Sequence, residues 1–230
     1  IQRYVHKGRI HSEINQLRSD QGGTVSGRLS YSNPNLQQIP ARNKEFGDKI
    51  RSLFLPEEGK QWGSFDYSQQ EPRLVAHYAA SINDTFQSKG AAEFIEAYKN
   101  EAADFHQIVA DMAGITRTQA KTINLGLFYG MGKNKLAREL GIDKDRAEDL
   151  LRRYGDRVPF VRGLATEVSS SASKYGFIRT IRGRKCRFDM WEPATFGMNK
   201  AMQYEEAKAI YGNNIRRAFT YKALNRLIQG

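Results

Sequence analysis

Residues 117–130 read RTQAKTINLGLFYG, and how their charges and glycines are spaced decides how the rest of the chain is understood. Thr116 stands immediately before them as a candidate N-cap, which predicts a helix through the stretch. Arg117, Lys121, Leu125 and Tyr129 recur every fourth residue. Each step of four advances about 40° beyond a full turn, so the four lie on one slowly drifting face. That face opens with two cations near the positive end of the helix and closes apolar and aromatic. A triphosphate laid along it would meet charge at one end and a stacking surface at the other. An amphipathic helix with its cations in water explains the same pattern, and is the commoner case for an arbitrary Arg/Lys pair. Gly126 and Gly130 flank the aromatic end, each at a cost to the helix of about 1 kcal/mol. Either another group approaches closely there or the helix bends.

Upstream, residues 64–80 read SFDYSQQEPRLVAHYAA. A short apolar approach over 62–65, read as a strand, ends in Asp66; Glu71 and Pro72 then open a helix with Leu74, Val75 and Tyr78 on one side. Acidic residues and Pro are favoured in first helical turns, so alone this is ordinary punctuation. Trp62, Phe65, Tyr78 and Phe160 read as core aromatics. The first 60 residues alternate briefly and are dense in Gly, Ser, Asn and Pro, as strands and loops are. Downstream, residues 90–114 read as two helices parted near 100–103, followed by two charged amphipathic helices and a long helix over 159–175. YGFIRTIRGRKCRF reads as a hairpin turning at Gly183, and residues 196–219 read as helical. No internal repeat or low-complexity linker interrupts the pattern. The fold class is α+β, with strands early and helices dominating the middle.

Composition narrows the function classes. Apolar residues make up 40% and charged residues 27% of 230 residues, a globular rather than a disordered mixture. Lys and Arg number 36 against 25 Asp and Glu, a formal charge of +11 that favours a polyanionic partner without naming it. The single cysteine, Cys186, rules out an internal disulfide and fits a reducing compartment. No apolar run is long enough to span a membrane. The start at Ile1, in mid-pattern, reads as a piece of a longer protein.

Three strings then fall into one family order. RTQAKTINLGLFYG resembles the nucleotide-binding fingers-helix motif of family A DNA polymerases, R-x-x-x-K-x-x-N-[F/Y]-G-x-x-Y-G. DYSQQEPR resembles the family's first palm motif, and SGRLSYSNPNLQQIPAR its upstream T-G-R-L-S-S…N-L-Q-N-I-P-x-R block. The short spacer between His106 and Arg117 and the wording QQEPR are similar to phage-type members. The resemblance implies a right-hand polymerase: a palm portion over 1–83, helix-rich fingers over 84–195 inserted after a palm strand–helix, and a helix over 196–230 returning toward the palm.

The resemblance also implies roles. Asp66, with the backbone carbonyl of Tyr67, would ligate Mg²⁺ in a two-ion site that bridges a primer 3′-oxygen and an incoming deoxynucleoside triphosphate. Asp66 and Lys121 would be the catalytic pair. Arg117 and Lys121 would hold the triphosphate, with further nucleotide contacts from Arg42, Gln69, His106 and Leu125. Glu71 would exclude a 2′-hydroxyl, and Tyr129 would close over the new pair as the helix swings shut. Arg28, Asn35, Gln37, Arg73, Asn225 and Gln229 would grip primer–template DNA, largely through the minor groove. Each has a plainer alternative: His106 as a surface helix residue, Asn35 and Gln37 as turn residues, and the hairpin cations Arg179, Arg182, Arg184, Lys185 and Arg187 as a solvated basic edge.

Leu125 departs from the usual Phe or Tyr, Tyr221 from an Arg that many relatives carry, and Pro72 from Leu. The thumb and the second palm motif, a His-Asp-Glu turn, are expected to lie outside these residues, in a longer chain or on a separate C-terminal polypeptide. The 230 residues alone are therefore expected not to polymerise. The implied setting is the cytoplasm of a bacterial or phage-infected cell, or an organelle, and no membrane. Two rivals share the charge: a non-catalytic nucleic-acid-binding module, and a single-subunit RNA polymerase. Asp66, Arg117 and Lys121 together weigh against the first; Glu71 and NLGLFYG weigh against the second.

Overall fold

Short alternating runs broken by Gly, Ser, Asn and Pro give short strands, and longer runs with apolar residues three and four apart give helices. The computed structural model describes residues 2–17, 23–40, 45–82, 88–99, 104–128, 130–195, 197 and 200–230. The chain divides into two units, Ile1–Ser68 and Gln69–Gly230.

The first unit holds β1 (Val5–His6), β2 (Arg9–Ile10), β3 (Glu13–Asn15), β4 (Ser30–Ser32) and the short helix α1 (Gly47–Arg51). β1 pairs antiparallel with β2, and β3 with β4 through the register Glu13–Ser32, Ile14–Tyr31 and Asn15–Ser30. The strand expected to end at Asp66 does not form: residues 61–67 join no ladder, and Trp62 and Phe65 are 71% and 97% exposed rather than core. A strand needs a partner edge for its backbone groups, and among the described residues of this unit none runs beside that stretch.

The second unit is built on helices: α2 (Gln70–Ala79), α3 (Ala91–Lys99), α4 (Phe105–Ala113), α5 (Arg117–Phe128), α6 (Lys133–Leu140), α7 (Lys144–Arg157) and α8 (Pro159–Tyr175). The antiparallel hairpin β5 (Phe177–Arg179) and β6 (Lys185–Arg187) follows, then β7 (Trp191–Pro193), α9 (Tyr204–Tyr211), β8 (Ile215–Arg217) and α10 (Ala223–Gln229). Its core joins Val75 and Ala79 of α2, Phe94 of α3, Phe105 and Val109 of α4, Ile123 and Phe128 of α5, and Phe160 and Leu164 of α8. Leu224 and Ile228 close it from α10. Phe94 sits between Phe105 and Phe160, with ring centroids 4.9 Å and 5.0 Å apart. Tyr78 and Phe160 are half-buried and buried, as core aromatics should be.

Helix ends follow their capping residues. Pro72 sits buried in the first turn of α2, where its missing N–H is no loss. The hairpin turns where Gly183, at φ 81°, donates its N–H to the Thr180 carbonyl at 2.8 Å. The Tyr78 hydroxyl accepts the Ile181 N–H at 2.6 Å, which ties this turn to α2.

Residues 196–219 differ from the helix expected of them. Among the described residues there, only Tyr204–Tyr211 is helical, and Ile215–Arg217 is a strand paired antiparallel with Trp191–Pro193. Gly212 ends the helix at φ 59°. The carboxylate of Glu192, only 7% exposed, requires a cationic partner, which Arg216 supplies across the ladder at 2.9 Å.

Candidate nucleotide site

The α4–α5 pair carries the densest set of candidate residues, and its geometry starts from one carboxylate. Asp104 caps α4: its Oδ1 accepts the His106 N–H at 2.9 Å and the Gln107 N–H at 3.3 Å. Its Oδ2 receives Arg117 Nε at 2.8 Å and Arg117 Nη2 at 2.7 Å. Burial pushes the Asp104 carboxyl up, but the Arg117 hydrogen bond, the two capping N–H groups and the Arg117 charge outweigh it and hold it below the ordinary range. Arg117 is therefore fixed at the start of α5, and Asp104 is a partner the sequence reading missed. The available signal was an Asp directly before the first helical residue of α4.

Thr116 caps α5 as expected, in a reciprocal box: Gln119 N–H donates to Thr116 Oγ1 at 3.2 Å, and Thr116 N–H to Gln119 Oε1 at 3.0 Å. Arg117 and Lys121 are exposed, Leu125 is half-buried, and Ala120, Ile123, Asn124 and Phe128 are buried. Asn124 is thus a polar residue set in the apolar stripe, a signal legible in the sequence but not used. At the far end the helix stops in a Schellman turn: Met131 N–H reaches the Gly126 carbonyl at 2.8 Å and Gly130 N–H the Leu127 carbonyl at 3.0 Å. Both glycines have a steric reason. A Cβ on Gly126 would collide with Met131 Cε, and Gly130 adopts φ 70° with the Tyr221 carbonyl 3.2 Å from where a Cβ would stand. Tyr221 thus packs against the end of α5. Tyr129 and Arg42 lie outside the described residues.

His106 is not a surface residue; it is 8% exposed. Its Nδ1 lies 3.0 Å from Asn124 Nδ2, and Asn124 Oδ1 accepts the Tyr154 hydroxyl at 2.5 Å. Burial lowers the His106 pKa; Asp104 opposes this, while Lys121 and Arg117 add to it, leaving the ring neutral at pH 7.

Two further hydrogen bonds tie candidates on α2, one to the start of α4 and one to α10. Gln69, held at φ 52° at the start of α2, accepts the Phe105 N–H through its Oε1 at 2.8 Å. Glu71 accepts Gln229 Nε2 at 2.9 Å, so α2 and α10 meet through two candidates 158 residues apart. Arg73 lies over the Tyr98 ring at 4.5 Å and donates to the Tyr98 carbonyl at 3.3 Å. Asn225 on α10 is half-buried, its Nδ2 enclosed without a hydrogen-bond partner.

The first unit holds the remaining candidates separately. Asn35 Oδ1 accepts the Gln37 N–H at 3.1 Å, and Gln37 Nε2 donates to the Leu29 carbonyl at 3.2 Å, so both serve the turn they sit in. Arg28 is exposed and its carbonyl accepts the Thr24 hydroxyl at 2.7 Å. Asp66 and Tyr67 are exposed in the irregular stretch. Their carboxylate and carbonyl are the hard oxygen donors a divalent cation prefers, yet among the described residues no three His, Cys, Asp or Glu side chains gather around one point. The hairpin cations Arg179, Arg182, Arg184, Lys185 and Arg187 are all exposed, with Lys185 Nζ 3.9 Å above the Phe177 ring. No described helix is long and apolar enough to cross a membrane.

Comparison with known proteins places these features. The profile of DNA polymerase family A matches residues 1–230. The DNA-directed DNA polymerase of Pseudomonas phage M6 is 36% identical over 275 aligned positions, covering 100% of this chain and 38% of the phage protein. DNA polymerase DpoZ of Acinetobacter phage SH-Ab 15497 is 37% identical, covering 78% of this chain and 32% of its own. Among solved structures, the POL domain of Pol1 from M. smegmatis, in complex with DNA primer-template and dNTP, aligns with a TM-score of 0.68 and 30% identity. That alignment covers 99% of this chain and 36% of the other. The chain thus spans about a third of the length of these relatives.

Proposed function

Because the chain belongs to DNA polymerase family A, we propose that it supplies the nucleotide-holding and primer-template-contacting part of template-directed DNA synthesis. The observation that carries this reading is the convergence on α4 and α5 of Arg117, Lys121 and His106 with an Asp104 that fixes one of them. A fixed guanidinium, an exposed ammonium and a neutral imidazole on two neighbouring helices suit a triphosphate, whose oxygens need several donors at once. Arg117 and Lys121 bind and neutralise the phosphates, and Gln69 and Glu71 stand at the start of α2 where the sugar end is bounded. Leu125 offers aliphatic rather than ring contact there. Arg28, Asn35 and Gln37 in the first unit, and Arg73, Asn225 and Gln229 in the second, are each assigned to DNA contact.

Mg²⁺ fits the donor chemistry of Asp66 and the Tyr67 carbonyl, and when bound it would neutralise phosphoryl oxygens during transfer. None of the four histidines is followed by Asp, so the expected His-Asp-Glu motif does not occur within these residues. The reading therefore includes that the 230 residues alone do not extend a primer; robust extension of a labelled hairpin with Mg²⁺ would overturn that part. The main test is titration of the chain with a fluorescent dNTP and Mg²⁺. Arg117→Ala and Lys121→Ala should each weaken binding about tenfold or more, since each removes a charge-assisted bond of roughly 1.5–3 kcal/mol. Unchanged affinity in both variants refutes the assignment.

A further inference from the structure

The buried chain from Tyr154 through Asn124 to His106 has a direction, and the direction follows from hydrogen-bond supply. Tyr154 is 1% exposed and its hydroxyl proton has one partner, Asn124 Oδ1 at 2.5 Å. Asn124 is fully buried, so its amide cannot turn toward water. If the amide were flipped, its Nδ2 would donate to the Tyr154 oxygen and its Oδ1 would require an N–H from His106 Nδ1. The Tyr154 proton would then be sealed in the core without an acceptor, a penalty such sites avoid. The unflipped chain satisfies every member: hydroxyl to Oδ1, then Nδ2 to a bare His106 Nδ1 at 3.0 Å. A neutral imidazole whose Nδ1 accepts must carry its proton on Nε2. His106 Nε2 has no partner among the described residues and is not sealed from solvent.

We propose that Tyr154 and Asn124 are positioning residues that lock His106 in the Nε2–H tautomer, so that a neutral ring presents an N–H donor to a phosphate of the bound nucleotide. This rests on the reading of α4 and α5 as the triphosphate site. It adds a reason for a buried asparagine and a tyrosine from another helix, which neither the cations nor the core requires. With Arg117 and Lys121 already at hand, the site gains a third donor without a third positive charge.

The test uses the 230-residue chain labelled with ¹⁵N-histidine. Long-range ¹H–¹⁵N spectra at neutral pH report which ring nitrogen of His106 carries the proton, with the signal assigned by His106→Ala. In the unsubstituted chain Nε2 should be the protonated nitrogen; Nδ1–H there overturns the proposal without any further variant. Tyr154→Phe keeps the ring in place but removes the terminal donor, so both His106 nitrogens should move toward the values of a mixed population. Asn124→Asp replaces the donor with an acceptor and should turn the ring over to Nδ1–H. Nitrogen shifts unchanged in both variants overturn the relay whatever the affinities do. Fluorescent dNTP titration of the same proteins is the second arm. His106→Ala and Asn124→Asp should each bind about tenfold more weakly, and Tyr154→Phe about twofold. Tautomers that shift as expected while His106→Ala binds nucleotide normally would keep the relay and overturn the phosphate reading beneath it.

Discussion

Replacing Gly126 by Ala pits two known effects against each other, and the structure says which wins. In an open helix the change would stabilise by about 1 kcal/mol, because Ala is the better helix former. Here the new methyl would strike Met131 Cε and lie 2.9 Å from its Sδ and 3.1 Å from its Cβ. The thioether end can swing aside, but the Met131 Cβ is held by its own N–H on the Gly126 carbonyl at 2.8 Å. Met131 is 9% exposed, so moving its side chain out gives up most of a methionine's burial, roughly 1.5–3 kcal/mol. Retaining it instead overpacks the turn at about 1–3 kcal/mol. Subtracting the helix gain leaves a net loss of roughly 0.5–2 kcal/mol if the side chain moves out and up to about 2 kcal/mol if it stays, and for a chain of this size each kcal/mol lowers the melting temperature by about 2–4 °C. Urea unfolding followed by helical circular dichroism reads it directly. A second background sharpens the reading: in Met131→Ala the Cε and Sδ are gone, so Gly126→Ala should become neutral or stabilising. A Gly126→Ala chain more stable than its parent by about 1 kcal/mol refutes the steric account of this glycine.

Other perturbations separate the roles that meet at Asp104 and α2. Asp104→Asn keeps a cap but loses the ion pair and should cost less than about 1 kcal/mol, because Arg117 is half in solvent and screened. Asp104→Ala loses the cap as well and should cost about 1–2 kcal/mol by the same urea titration. Acid should weaken the chain in a defined order. His106 is depressed, so below the unfolded value of about 6.5 the unfolded chain takes the proton first and stability falls with pH. His106→Gln should flatten the stability profile between pH 7 and 5; an unaltered slope there would assign the loss to other groups. Asp104 adds a second loss only as pH falls below the ordinary carboxylate range toward its own lowered value. For Glu71 and Gln229, a double-mutant cycle with alanine should show coupling of about 1 kcal/mol, since the bond is partly buried.

What the sequence made legible is what depends on period and on local chemistry. Helices α2 to α8, the cap at Thr116 and the turn at Gly183 all follow from residues within a few positions of one another. The family order of three motifs was equally local, and the comparisons bear it out. Where the reading missed, the deciding partner was distant in the chain. Tyr204–Tyr211 is rich in helix formers, but Gly212, Asn213 and Asn214 interrupt the run, and Ile215–Arg217 becomes a strand because Trp191–Pro193 offers an edge and Glu192 needs Arg216. Trp62 and Phe65 have core composition, yet among the described residues of their unit no partner strand runs beside them.

The same distinction holds within the candidate site. Spacing alone put Arg117 and Lys121 on one face of α5, but it could not tell a cation held for a ligand from one left in water. What the structure adds is Asp104, which fixes Arg117 from 13 residues upstream. By capping α4 it fixes the direction from which His106 enters the core, and by binding Arg117 it fixes the first turn of α5 against that same helix start. Gly114, at φ 64°, ends α4 in time for Thr116 to begin α5, so the two helices return side by side. One carboxylate thus sets the separation of a guanidinium and an imidazole that no helical period relates. Lys121, one turn further along, is exposed and has no such anchor among the described residues. Under the proposed reading of α4 and α5, that anchored pair beside an exposed ammonium would hold a triphosphate from several sides at once.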